Sequence, residues 1–115
     1  MFRGKAELRN PETEAKVGVL TEHCEDDGTA NLRVVLEPPL TLTGTEFLAI
    51  VSTAGELFSA TAKNGGPTEF HEIHGKSPVG CLANNTEISL TRSPGGPLST
   101  LLVVLGRGTI HEEHH

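Results

Sequence analysis

The chain has no tryptophan and no tyrosine, and only four phenylalanines among its 115 residues. Proteins that bind single-stranded nucleic acid stack bases on aromatic side chains, and lectin-like β domains use aromatic platforms in a similar way. This sequence can build neither platform. The aromatic anchors that dominate many protein–protein hot spots are missing too. Basic residues are the minority, with nine Lys and Arg against fifteen Asp and Glu and a formal net charge of −6. A nucleic-acid backbone or an anionic membrane surface repels such a chain on average. Neither nucleic acid nor membrane is therefore an expected partner.

No stretch approaches the roughly 18 consecutive apolar residues of a membrane-spanning helix. The opening segment, MFRGKAELRNPE, has no hydrophobic signal region, and the expected location is cytoplasmic. Cysteine is scarce. Cys24 and Cys81 match no zinc knuckle and no CxxC redox motif. In the cytoplasm the expectation is a pair of reduced, partly buried thiols.

Glycine and proline are plentiful, with 13 and 7 copies, while apolar residues make up 36%. That balance calls for many short elements joined by turns. Leu, Val and Ile cluster in runs, unlike the composition of a disordered chain. The length suits one domain, expected over 1–105, with residues 106–115 as a flexible tail.

Phe2, Gly4, Ala6 and Leu8 alternate with Arg3, Lys5, Glu7 and Arg9, the period of a strand with one wet face. Asn10-Pro11 stops it. Lys16 to His23 is the next extended run. Asp27-Gly28 is a hairpin turn signal, and Ala30 to Glu37 returns with Leu32, Val34 and Leu36 on one face. Pro38-Pro39 is expected to end that strand, since proline cannot donate to a ladder. Leu40 to Thr43 is a short further piece. FLAIVS, at Phe47 to Ser52, is apolar on both faces and so expected to be central or covered. Glu56 to Lys63 pairs back. Thr86 to Arg92 and Leu98 to Leu105 follow as strands, the last being the most hydrophobic run in the chain.

No segment sustains a helical period over a helix-length window. The fold expected is all-β: a small antiparallel sandwich or barrel of about seven to eight strands, meander-rich, with at most one short helical turn.

The segment FHEIHGKS, Phe70 to Ser77, carries the main candidate for chemistry. In one turn of helix, His71 and His74 share a face and can share a divalent metal. In an extended chain they point to opposite faces. Metal also needs a third and usually a fourth ligand, with Glu72, Glu22 and His23 as the nearest candidates. An imidazole also suits acid–base work. The competing reading is a polar surface segment. At the C-terminus, His111-Glu112-Glu113-His114-His115 spells H-E-x-x-H but lacks the long helix that aims both histidines in a zinc protease. No G-x-S-x-G elbow occurs. Gly75-Lys76-Ser77 lacks the leading glycine of a phosphate loop, because position 70 is Phe. Asn84-Asn85-Thr86 is a formal glycosylation sequon in a turn.

With no coherent catalytic set, the expected function is that of a small non-enzymatic β domain acting through protein–protein contacts. The two-sided apolar runs suggest that it is homo-oligomeric, one of them facing a partner subunit. The alternative is a β-barrel that binds a metal or small ligand through residues 70–77, with His71 and His74 as metal ligands and enzymatic activity open.

Overall fold

The computed structural model describes residues 2–96 and 101–113. Among these the chain forms strands β1 (Phe2–Arg9), β2 (Lys16–Cys24), β3 (Ala30–Leu42), β4 (Phe47–Ser52), β5 (Gly55–Thr61), β6 (Thr68–Lys76), β7 (Glu87–Ser93), β8 (Val103–Thr109) and β9 (His111–Glu113). A single 3-10 turn spans Lys63–Gly65. All strands join one sheet in the order β5-β4-β7-β8-β1-β2-β3-β6, with β9 also paired to β1. Every pairing is antiparallel.

The sheet curls until its two edge strands meet, so the architecture is a nearly closed barrel rather than a sandwich. Phe58 of β5 lies over Gly75 of β6, where a Cβ would stand 2.8 Å from the ring. Only glycine permits that approach, and it closes the two free edges against each other. The alternation read from the sequence sets the interior. Ala6 and Leu8 of β1, Leu20 of β2, Leu32 and Val34 of β3, Leu48 and Ile50 of β4, and Ile88 and Leu90 of β7 all point into one core. FLAIVS is central, between β5 and β7, with Leu48, Ala49 and Ile50 buried.

Three expectations are corrected. Pro38-Pro39 does not end β3. The pairing with β6 shifts register between Val35 and Leu40, and both prolines sit in that irregularity. A bulge leaves residues unpaired, so their missing N–H groups cost nothing there. Of the strand expected over Leu98 to Leu105, residues 98–100 lie outside the described residues, Leu101 and Leu102 are not in a strand, and β8 begins at Val103. Residues 106–113 do not form a loose tail. They continue through β8 and β9, and β9 pairs Glu113 with Arg3, Glu112 with Gly4 and His111 with Lys5.

Gly106 and Gly108 serve close packing. A Cβ on Gly106 would meet Val17 Cγ2 at 2.4 Å, and one on Gly108 would meet the Glu7 carbonyl oxygen at 2.3 Å. The second obstacle is backbone and cannot swing away. Gly108→Ala is therefore expected to lower stability by about 3 kcal/mol, the upper range for overpacking a tight site. Gly66→Ala, whose new Cβ would lie 3.8 Å from the nearest atom, should change it by less than about 1 kcal/mol. Urea denaturation midpoints of the two variants check the contrast.

Candidate functional site

FHEIHGKS is a strand. Thr68–Lys76 forms the whole of β6, which settles the choice between helical turn and extended chain. His71 sits where the β3–β6 register slips, exposed, with Nε2 2.7 Å from Glu69 Oε1. His74 is in regular pairing opposite Arg33. Glu72 takes the Arg33 Nε–H on its Oε2 at 2.5 Å. His23 pairs instead with Glu25, Nε2 to Oε1 at 3.2 Å. Among the described residues, no three His, Cys, Asp or Glu side chains gather as a metal-binding group.

His74 does belong to a larger feature. The outer face of β1, β2, β3 and β6 carries a groove of about 670 Å³. Its lining includes Arg3, His23, Asn31, Arg33, His74 and Lys76. These side chains come from four strands and are brought together by register alone. Arg3 pairs with His23, His23 with Asn31, and Asn31 with Lys76.

The inner face holds a feature of the opposite kind. Glu22 is fully buried on β2, on the same face as Gly18, Leu20 and Cys24. Its Oε1 accepts the Leu82 N–H at 2.6 Å, while Oε2 has no hydrogen-bond partner. Gly4 makes the space, because a Cβ there would come within 3.0 Å of Oε2. Burial pushes the Glu22 carboxyl above its ordinary pKa, against the pull of the Leu82 N–H, and Glu112 adds to the rise. A buried carboxyl with one unpaired oxygen favours its neutral form.

Leu82 belongs to the segment between β6 and β7, which crosses the barrel end nearest Glu22. Cys81 fixes that segment to β2 through a disulfide with Cys24, Cα to Cα 5.6 Å. The Cys81 N–H donates to Gly28 O at 3.2 Å, and Asn85 N–H donates to Ile110 O at 2.7 Å. The reading of Cys24 and Cys81 as reduced thiols is thus overturned: register brings β2 and the crossing segment within bonding distance, which spacing in the sequence could not show. The sequon lies in this same segment, where Asn84 Oδ1 accepts the Glu112 N–H at 2.9 Å.

The two features differ in how far the sequence reveals them. The inward aim of Glu22 was available from parity, since Leu20 and Cys24 flank it two residues away. The groove was not, because it depends on which strands are neighbours. Among the described residues, no helix is long and apolar enough to cross a membrane.

The Glu22 geometry predicts a pH response. Its folded pKa lies above the ordinary 4.5, so its contribution to stability is complete below that value and is lost as pH rises through the folded pKa. Glu22→Gln keeps an acceptor for the Leu82 N–H but cannot ionise. The difference in melting temperature between Glu22→Gln and the parent should move in favour of the variant from pH 4.5 upwards. Thermal unfolding followed by circular dichroism from about pH 4 to about pH 8, which starts below the ordinary carboxyl pKa and rises through the folded one, measures it.

Comparison of the chain with protein-family models, with curated proteins and with solved structures finds no match in any of the three.

Proposed function

We propose that this protein is a non-enzymatic β domain that acts through protein contacts, and that its first partner is a second copy of itself. The observation that carries the reading is an apolar strip that leads into β8, formed by Leu101, Leu102 and the first residue of the strand, Val103. Leu101 is 60% exposed, Leu102 55% and Val103 43%. Three adjacent large apolar residues in water are costly, and burying them against a partner recovers roughly 25 cal/mol for each Å² covered. A twofold interface asks only that one strip be complementary to itself. An uncharged row of Leu, Leu and Val meets that condition, whereas most of this acidic surface would repel its own copy.

The enclosed interior supports the same reading from the other side. The barrel core is filled by aliphatic side chains, and Glu22, the one fully buried carboxyl among the described residues, accepts a backbone N–H on Oε1. We further infer an oxidising compartment rather than the cytoplasm, because a structural disulfide persists there and is reduced in the cytosol.

Sedimentation or light scattering after size exclusion tests the self-association. The parent should run at twice the chain mass and Val103→Glu at the chain mass, with circular dichroism unchanged. A parent that stays monomeric at high concentration overturns the reading. For the compartment, protein prepared without reductant and then unfolded should titrate with no free thiol, and two thiols per chain would refute it.

A further inference from the structure

We propose that the groove on the outer face of β1, β2, β3 and β6 binds a small, multiply charged anion, a molecule carrying two or more phosphate or carboxylate groups. The proposal stands apart from self-association and uses none of the residues of the β8 strip.

The first support is the charge of the lining. The chain carries fifteen acidic residues against nine basic ones, yet the groove is lined by Arg3, Arg33 and Lys76, by two imidazoles, and by no carboxylate. A random draw from this surface would be acidic. The cations are ordered by register into two cross-strand rows. One runs Arg3, His23, Asn31, Lys76, and the next runs Lys5, Thr21, Arg33, His74. Neighbouring strands lie about 4.8 Å apart and alternate residues about 6.7 Å apart, so the two rows cover an area of about 14 by 7 Å.

The second support is preorganisation. Arg33 gives its Nε–H to Glu72, which fixes the guanidinium plane and leaves the two terminal nitrogens for a ligand. His23 is held by Glu25. A donor already held in place loses less freedom on binding. Asn31 adds an amide between the cations.

The third support selects the size of the occupant. The next row along the strands is Glu7, Val19, Val35, Glu72, which ends in a carboxylate on both sides. Beyond the other row lies the Glu25-Asp26-Asp27 turn. A nucleic-acid backbone leaving the groove would meet negative charge in both directions. A compact anion fits inside the border, and a groove of about 670 Å³ falls in the usual range of small-molecule sites. No Phe lines the groove, and its aromatic rings are the small imidazoles of His23 and His74.

Isothermal titration of the full chain with tripolyphosphate and with citrate tests the site, with inorganic phosphate and acetate as single-group comparators. At least one multivalent anion should bind at least roughly tenfold tighter than its comparator, and the two arms separate phosphate from carboxylate as the preferred group. Arg3→Gln and Lys76→Gln, both at exposed positions, should each weaken binding roughly tenfold, the usual scale for losing one charged hydrogen bond. Lys63→Gln, outside the groove, should leave it unchanged, as should Val103→Glu. Binding absent at concentrations on the order of 1 mM, or lost equally in Lys63→Gln, overturns the proposal. So does a short DNA duplex that binds tighter than either small anion.

Discussion

A closed sheet has one inside, and in this chain every strand must surrender alternate residues to it. That parity is the constraint on which the rest depends. It places Ala6, Leu8, Leu20, Leu32, Val34, Leu48, Ile50, Ile88 and Leu90 together in the core. It also decides where bulk cannot go. Closure needs Gly75 beneath Phe58, and the approach of β8 to β1 needs Gly108 beside the Glu7 carbonyl. The glycines are therefore spent on contact between strands as much as on turns. An aliphatic interior filled in this way leaves little room for a ligand, which directs attention to the ends and the outer wall.

Glu22 is the buried carboxyl among the described residues, where the other buried polar side chains are the hydroxyls of Ser52, Ser77, Thr91 and Ser93. Parity carries it inside along with Leu20 and Cys24, and Gly4 leaves room for its unpaired oxygen. The structure answers with a hydrogen bond from Leu82 and a covalent tie from its neighbour Cys81 to Cys24 of β2, both made by the segment that crosses this end. The bond closes a loop of 57 residues, and a loop of that length corresponds to about 4 kcal/mol of lost unfolded-state freedom in the chain-entropy account. That is the scale needed to hold a loop over a buried carboxyl, whose burial with one oxygen unpaired works against the fold.

The fold class was legible because it rests on local signals. Alternation over Phe2–Arg9 and Lys16–Cys24, the Asp27-Gly28 turn and the two-sided FLAIVS run all read directly as an antiparallel β fold. The errors share one physical cause. Pro38-Pro39 reads as an end because proline usually marks loops, and the segment expected as a tail from residue 106 carries two glycines, which usually mark loops too. In a barrel the same residues mark a bulge and a close approach, and only the neighbouring strand tells the two apart. The pairing of Cys24 with Cys81 was beyond reach for the same reason. The conformation of Phe70 to Lys76 stays open between helix and strand at the level of the sequence, since two large apolar residues, Phe70 and Ile73, are too few to fix either period. As for the candidate site, His74 was singled out for its spacing from His71, yet it shares its groove with Arg3, Arg33 and Lys76, residues separated by up to 73 positions (Arg3 to Lys76) in the chain.

That separation bears on what net charge can exclude. A total of −6 describes the field at a distance, where it slows the approach of any polyanion. Within a few ångströms of the wall the relevant quantity is the local row. Four of the nine basic residues, Arg3, Lys5, Arg33 and Lys76, fall on the outer face of four adjacent strands. Acidic residues border them, with Glu72 ion-paired to Arg33 and Glu113 opposite Arg3. Salt screens interactions beyond about 10 Å at 0.1 M, so at ordinary ionic strength a small anion inside the groove responds to the cations it touches more than to the acidic remainder. A long polyanion cannot, because its length carries it out of the screened zone and over the acids. The same charge distribution that argues against nucleic acid is thus compatible with a compact anion, and the border between the two is drawn by strand register.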